Sequence, residues 1–174
     1  SEAQGRGRGR VDLAILFTDI VKFSSWALEA GDEASLELLR QVAAAEDAAI
    51  SNHGGSLVKR LGDGSMSVFG DARDAVRAAL EAQSAAAEVE VEGHSPELRA
   101  GVHLGRPRKV GGDYLGVDVN IAARVGEAAK GGEVLITEPA CESLAEAEFE
   151  LDRSRRLRQT GAPRDLTMCS VSAR

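Results

Sequence analysis

The chain of 174 residues carries a net charge of −7 and has few aromatic side chains, so its core must come mainly from Ala, Leu, Val and Ile. At this length the simplest architecture is one domain with a sizeable core. The acidic balance argues against general nucleic-acid binding, which needs a basic face. No apolar run approaches the ~20 residues of a membrane-spanning helix, so we expect no membrane contact from this domain.

The first ten residues and the two cysteines bear on domain organisation and on the redox environment. Residues 1–10 are glycine-rich and basic, which predicts a disordered linker or tail ahead of a domain at residues 11–174. Cys141 and Cys169 are far apart in the sequence and match no metal-binding spacing. With no recognisable signal peptide, they are interpreted as reduced thiols of a cytoplasmic protein.

The first half of the chain alternates strand and helix patterns. The segment LAILFTD, which ends at Asp19, is apolar on both faces and predicts a central strand. Apolar spacing then predicts a helix from Asp32, as its cap, to about Ser51. A second helix is predicted to begin after a cap at Asp71.

Between these helices, the stretch LVKRLGDGSMSVF predicts a β-hairpin. Two short apolar runs, residues 57–61 and 65–69, flank a Gly-Asp-Gly turn. Lys59 and Asp63 place a cation and a carboxylate around that turn. The ordinary alternative is a turn aspartate and a solvated strand lysine.

The second half repeats the alternation. Residues 98–105 alternate apolar and polar side chains, which predicts a strand, and residues 105–113 form a basic, glycine-containing excursion. A helix capped by Asp118 is predicted next, followed by a strand at VLIT, a short helix and two final strands. The resulting order predicts an α/β (α+β) sandwich with a ferredoxin-like split βαβ core and added C-terminal strands. Its helices are expected on one side of a mainly antiparallel sheet.

Six polar residues stand out from these elements: Asp19, Lys59, Asp63, Asp113, Asn120 and Arg124. If the first strand and the hairpin lie side by side, the carboxylates of Asp19 and Asp63 come close, and such a pair binds a hard divalent cation. An arginine held on a helix can stabilise charge developing at phosphorus. The alternatives are helix caps, a surface hydrogen bond and a surface ion pair. The residues alone therefore indicate a metal-assisted phosphoryl or nucleotidyl transferase.

Three motifs carry a more specific resemblance. FTDIVKFS, KRLGDG and DYLGVDVNIAAR occur in this order, and together they resemble the catalytic domain of class III nucleotide cyclases over residues 14–171. The resemblance implies an adenylate cyclase, which converts ATP to 3′,5′-cyclic AMP and pyrophosphate. It also implies two divalent cations, Mg²⁺ or Mn²⁺, bound by Asp19 and Asp63 with the backbone carbonyl of Ile20 as a further ligand.

The same resemblance assigns the remaining polar residues. Lys59 and Asp113 match the pair that selects adenine, Asn120 matches the residue that orients the ribose, and Arg124 matches the residue that stabilises the transition state. In that family the site is shared across a head-to-tail dimer. A homodimer is therefore expected, in which one chain supplies the two aspartates and its partner supplies the other four residues.

One position departs from the family pattern. The run RQTGAP places Thr160 where the family usually has a triphosphate-binding Lys or Arg, and Arg155, Arg156 or Arg158 is the expected substitute.

Other functions stay open beside the adenylate cyclase. They are a guanylate cyclase, which the pair of Lys59 and Asp113 disfavours, and a non-catalytic nucleotide-binding regulatory module. A diguanylate cyclase is rejected, because Tyr114 replaces the catalytic acid of its GGDEF signature.

Overall fold

The structure is a computed structural model that describes residues 12–156 and 166–174, with the side chains of residues 154–156 left undescribed. The linker expected at residues 1–10 lies outside the described residues. The described elements, in chain order, are β1 (Leu13–Ile20), α1 (Phe23–Ala30), α2 (Asp32–Asn52), β2 (Ser56–Leu61), β3 (Gly64–Phe69), α3 (Ala72–Ala87), β4 (Leu98–Gly105), β5 (Arg108–Val110), β6 (Asp113–Leu115), α4 (Val117–Ala128), β7 (Val134–Thr137), α5 (Glu138–Cys141), β8 (Phe149–Arg156) and β9 (Thr167–Ala173).

Seven of the described strands form one sheet in the order β2-β3-β1-β4-β7-β9-β8, and β5 pairs with β6 in a separate ribbon. Within the seven-stranded sheet, β4 and β7 pair in parallel and the other neighbouring strands pair antiparallel. The predicted hairpin is β2–β3, and it lies directly beside β1. The mainly antiparallel sandwich with added C-terminal strands is therefore confirmed.

The helices cover both faces of the sheet, so the prediction of helices on one side was wrong. Ala14 and Leu16 of β1 belong to the apolar cluster that includes the buried face of α3. Ile15, which points to the other face, packs with Val119 and Ala122 of α4. The reason is in β1 itself, because a strand that is apolar on both faces needs cover on both.

Glycines begin two of the three helices that were predicted to have aspartate caps. The Asp71 side chain accepts a hydrogen bond from a backbone N–H of the first turn of α3, as predicted. The caps predicted at Asp32 and Asp118 were wrong, because Gly31 and Gly116 hold those N-cap positions, with φ of 92° and 129°. Both angles are in the region that favours glycine. In the described part of the chain, no helix has both the length and the hydrophobicity needed to cross a bilayer.

Close packing brings the last turn of α4 down onto the sheet. A Cβ atom at Gly101 of β4 would lie 2.2 Å from the backbone nitrogen of Gly126 in α4. A Cβ atom at Gly126 would in turn lie 3.3 Å from the Cβ of Phe17 in β1. The absence of both side chains lets helix and sheet touch backbone to backbone. The end of α4 is thereby set over β1 and β4.

The cysteines are not the free thiols that the sequence predicted. Cys141 of α5 and Cys169 of β9 form a buried disulfide, with their Cα atoms 6.3 Å apart. They meet because β7 pairs with β9, placing Ile136 opposite Cys169, and α5 follows β7 directly. A contact of this kind depends on strand order, which sequence spacing alone does not reveal. The cysteines therefore give no support to a reducing compartment.

Candidate active site

Asp19 and Asp63 meet at one end of the sheet. Asp19 lies near the end of β1, and Asp63 lies in the turn between β2 and β3. The turn is pressed against β1, since a Cβ atom at Gly64 would lie 2.0 Å from the carbonyl oxygen of Thr18 and 2.9 Å from the Cβ of Asp19. Both aspartates line a cavity of about 330 Å³. The predicted approach of the two carboxylates is thus present within one chain.

The electrostatics of this pair favour a bound cation. Burial raises the pKa of the Asp63 carboxyl, and the negative charge of Asp19 raises it further. Backbone N–H groups, including that of Ile20, and the charge of Arg99 oppose this rise without cancelling it. Two hard oxygen donors whose charges repel suit Mg²⁺ or Mn²⁺. The residues present therefore fit the divalent cations that the sequence implied.

Arg99 is a member of this cluster that sequence reasoning missed. Its Nε donates to Oδ1 of Asp19 at 2.6 Å, and its Nη2 donates to Oδ2 at 3.1 Å. Its Nη1 also donates to the carbonyl oxygen of Glu127, in the last turn of α4, at 2.9 Å. The available signal was strand register, since β4 pairs with β1 and places Arg99 opposite Asp19. Arg99 thus joins the aspartate to the end of α4.

Arg124 lines the same cavity as the two aspartates of its own chain. Its Nη2 donates to Oε2 of Glu127 at 3.0 Å, and its Nε lies 3.0 Å from Oε1 of the same carboxylate. The ordinary alternative considered for this residue, an ion pair at the surface, therefore exists in the single chain. The guanidinium is held next to the cavity by a neighbour one helical turn away.

Lys59 and Asp113 form a direct pair, although 54 residues separate them. Lys59 Nζ, on β2, donates to Oδ2 of Asp113, at the start of β6, at 3.0 Å. The pKa of Asp113 is lowered, first by the hydrogen bond from Lys59 and then by the backbone N–H of Tyr114. The carboxylate is therefore ionised at neutral pH. A donor and an acceptor stand side by side on a partly exposed surface.

The other predicted residues have simpler settings. Asn120 is exposed in the first turn of α4, one turn before Arg124. Ile20 is buried at the end of β1. Thr160 and Arg158 lie outside the described residues, and so do the side chains of residues 155 and 156. The structure therefore gives no position for the group that would hold a triphosphate.

Comparison with known proteins places this arrangement in a family. The sequence model described as "Adenylate and Guanylate cyclase catalytic domain" matches residues 9–169. The chain belongs to this family. The resemblance to class III nucleotide cyclases that the three motifs carried is thereby confirmed.

Curated relatives include named cyclases. An adenylate cyclase of Streptomyces coelicolor is 32% identical to the cyclase domain over 132 residues, which cover 76% of this chain and 34% of that protein. A putative adenylate cyclase 3 of Rhizobium meliloti is 37% identical over 130 residues, which cover 72% of this chain and 22% of that protein. The chain thus spans about a third or less of the length of these relatives.

Solved structures show that the fold is that of cyclase catalytic domains. The adenylyl cyclase CyaB from P. aeruginosa superposes with a TM-score of 0.77 at 23% identity, covering 95% of each chain. The guanylate cyclase domain of RhGC from Catenaria anguillulae, in complex with GTP, superposes with a TM-score of 0.83 at 22% identity, covering 94% of this chain and 97% of that one. Proteins named for either nucleotide share the fold, so the fold does not choose between ATP and GTP.

A buried carboxylate packs behind the strand that carries Asp19 in this cyclase domain. Glu46 of α2 is 2% exposed, and it accepts hydrogen bonds from Thr18 of β1 and from Nη1 of Arg60 on β2, the latter at 3.2 Å. Thr18 also contacts Ser65 of β3 at 3.0 Å. Burial raises the pKa of Glu46. These contacts join α2 to the three strands beneath Asp19, a link that helical spacing did not reveal.

Proposed function

We propose that this chain is the catalytic domain of an adenylate cyclase, which converts ATP to 3′,5′-cyclic AMP and pyrophosphate. The observation that carries the proposal is the cavity lined by Asp19 and Asp63, a set of two adjoining carboxylates that can hold hard cations beside a phosphate. Such a set matches an attack on phosphorus, in which negative charge grows on the phosphate oxygens. Relatives named adenylate cyclases support the choice of reaction.

Asp19 and Asp63, with the carbonyl of Ile20, would hold two divalent cations, Mg²⁺ or Mn²⁺. When bound, such ions lower the pKa of the ribose 3′-hydroxyl and screen the triphosphate charge. The protein contributes the placement of the ligands. Arg99 holds the Asp19 carboxylate by both oxygens, which fixes its orientation. The raised pKa of Asp63 means that its ionised form gains stability from a nearby cation.

Lys59 and Asp113 would read the adenine base. The adenine edge offers a ring-nitrogen acceptor and an amino donor, which match an ammonium donor and a carboxylate acceptor. Guanine instead presents a carbonyl oxygen where adenine has the amino group, and that oxygen would face the Asp113 carboxylate. The 3.0 Å contact between the two side chains places the donor and the acceptor next to each other in the free protein.

A homodimer with shared sites is part of the proposal. One chain would supply the aspartates, while its partner would supply Asn120 for the ribose, Arg124 for the transition state and the base-reading pair. The exposed apolar side chains around the hairpin and the β5–β6 ribbon support such an interface: Leu57, Leu61, Val110, Leu115 and Val117. A two-fold arrangement of this kind creates two equivalent sites.

A role in cyclic-nucleotide signalling and a cytoplasmic location complete the proposal. Cyclic AMP serves as a signal, and ATP is available in the cytoplasm. Since the cysteines form a disulfide in the structure, the location rests on the substrate and not on thiol chemistry.

The direct test is identification of the product. The purified domain is incubated with ATP or GTP and with Mg²⁺ or Mn²⁺, and the nucleotides are separated and identified by mass. We expect cyclic AMP from ATP with release of pyrophosphate. Cyclic GMP as the main product would favour the guanylate cyclase alternative. Nucleotide binding with no cyclic product under any of these conditions would favour a regulatory module.

The base-reading pair gives a prediction of its own. The double variant Lys59→Glu, Asp113→Cys reverses the hydrogen-bonding character of the pocket, so use of ATP should fall by about 10²-fold or more, while use of GTP should rise relative to ATP. The measurement is kcat/KM for each nucleotide. The matched control is Lys130→Glu, which reverses an exposed charge elsewhere on the domain. An ATP-to-GTP preference equal to that of the wild type would show that these side chains do not read the base.

A further inference from the structure

A buried histidine joins the sheet to the start of α4. His103 of β4 is 5% exposed. Its Nδ1 lies 2.7 Å from Oγ1 of Thr137, a fully buried residue at the end of the neighbouring strand β7. Its Nε2 lies 2.8 Å from Oδ1 of Asp118, the second residue of α4. Because both ring nitrogens have partners, the ring orientation is fixed.

Asp118 in turn joins α4 to the segment that leaves β4. Its second carboxylate oxygen, Oδ2, accepts the backbone N–H of Arg106 at 2.8 Å. This close approach depends on Gly105, where a Cβ atom would lie 2.3 Å from the Asp118 Cγ. Any other residue at position 105 would push the carboxylate away. The aspartate that the sequence predicted as a helix cap therefore connects β4, the following segment and α4.

Two parts of the proposed active site are attached to this junction. Asn120 follows Asp118 by two residues in the same helical turn. Arg106 begins the connection to the β5–β6 ribbon, which carries Asp113 to its contact with Lys59. A shift of the junction would therefore move the residue proposed for the ribose and the residue proposed for the base together.

We propose that His103 and Asp118 form a brace that sets the position of the first turn of α4 and of the β5–β6 ribbon relative to the sheet. They are positioning residues for Asn120 and Asp113 and do not touch the nucleotide. This assignment rests on the proposed function, because it concerns how those two residues meet the substrate. The physical basis is that a buried ring with two hydrogen bonds has one arrangement, and that loss of either partner leaves a buried polar group unsatisfied.

The test compares two removals with a conservative replacement. Asp118→Ala removes the acceptor for both His103 and the Arg106 N–H, and His103→Leu removes the ring contacts. In both variants kcat/KM for ATP should fall by about 10- to 100-fold, since a displacement of about 1 Å can have that effect. His103→Gln keeps a side-chain N–H at the position of Nε2 and should recover most of the activity. The matched control is His94→Leu, a histidine in another part of the fold that stacks on Trp26.

A second measurement separates positioning from stability. Hydrogen exchange at the Arg106 amide should be about tenfold faster in Asp118→Ala than in the wild type, because its acceptor is gone. In Asp118→Ala, the ratio of kcat/KM for ATP to kcat/KM for GTP should also fall, since Asp113 would be less well placed. Unchanged Arg106 exchange would overturn the brace. Faster exchange with unchanged kinetics and base preference, or no recovery in His103→Gln, would overturn its positioning role.

Failure of the proposed function has a different signature. A wild-type domain that is folded and shows the slow Arg106 exchange, yet makes no cyclic nucleotide, would contradict the cyclase assignment and, with it, the positioning role. The exchange measurement needs no turnover, so it still decides whether the brace itself exists.

Discussion

Asp19→Ala and Asp63→Ala should each lower cyclase turnover by about 10³-fold or more. Each removes an oxygen ligand from the proposed cation site, and a bound cation contributes several kcal/mol to stabilising charge in a phosphoryl-transfer transition state. The measurement is the rate of cyclic AMP formation at saturating ATP and Mg²⁺. Binding of Mn²⁺, followed by electron paramagnetic resonance, should weaken in the same variants. That second readout does not depend on catalysis.

The control for this prediction is Asp32→Ala, which removes an exposed carboxylate at the start of α2 and should leave turnover unchanged. If either active-site variant retained near wild-type turnover with Mg²⁺, the assignment of Asp19 and Asp63 as cation ligands would be wrong.

The fold should survive loss of Asp63, and its stability should depend on pH in a defined direction. The pKa of Asp63 is raised in the folded chain, so ionisation of this carboxyl opposes folding as the pH rises through the ordinary aspartate range and beyond. The metal-free Asp63→Asn variant should therefore melt at or above the wild-type temperature at neutral pH. The difference in melting temperature should disappear in acid, where the Asp63 carboxyl of the wild type is protonated in both the folded and the unfolded chain. Thermal unfolding followed by circular dichroism measures both.

Much of the fold was predictable because its signals are local. The hairpin follows from two apolar runs around a glycine turn, and β1 follows from a run that is apolar on both faces. The position of α4 on the opposite face of the sheet was not predicted. The apolar pattern of β1 calls for cover on both faces, but it does not say which helix supplies that cover. The close approach of α4 depends on the contact between Gly101 and Gly126, which have no side chains to give a pattern. The disulfide was not predicted either, because strand order brings Cys141 and Cys169 together and their spacing in the sequence does not show this.

The parts of the candidate site that lie in sequence motifs were predictable, and the parts that depend on tertiary packing were not. Asp19, Asp63, Lys59 and Asp113 lie in motifs, and the structure brings them together as two pairs. Arg99 lies in an ordinary alternating strand, and its contact with Asp19 depends on the register of β1 against β4. His103 and Asp118 had simpler interpretations when considered singly. Their connection through Gly105 becomes visible only in three dimensions.

Mixing two inactive variants should restore activity if the sites are shared between chains. Asp19→Ala and Arg124→Ala homodimers should each be nearly inactive, one for lack of a cation ligand and the other for lack of the transition-state guanidinium. In a heterodimer, one site carries both lesions and the other carries neither. Random assortment at equal concentrations makes half of the dimers mixed, each with one good site of two, so activity should recover to roughly a quarter of wild type. It should also rise with total protein concentration as dimers assemble.

The structure makes this experiment decisive, because Arg124 also lines the cavity of its own chain beside Asp19 and Asp63. If each chain used its own arginine, every protomer in the mixture would carry a lesion in its own site and no activity would return. The matched control is a mixture of Asp19→Ala with Asp63→Ala. One site of the heterodimer then lacks Asp19 and the other lacks Asp63, so neither site is intact and no recovery is expected. Native mass spectrometry verifies that subunits exchange. Exchanged heterodimers of Asp19→Ala and Arg124→Ala that stay as inactive as their parents would mean that each catalytic site is built within a single chain.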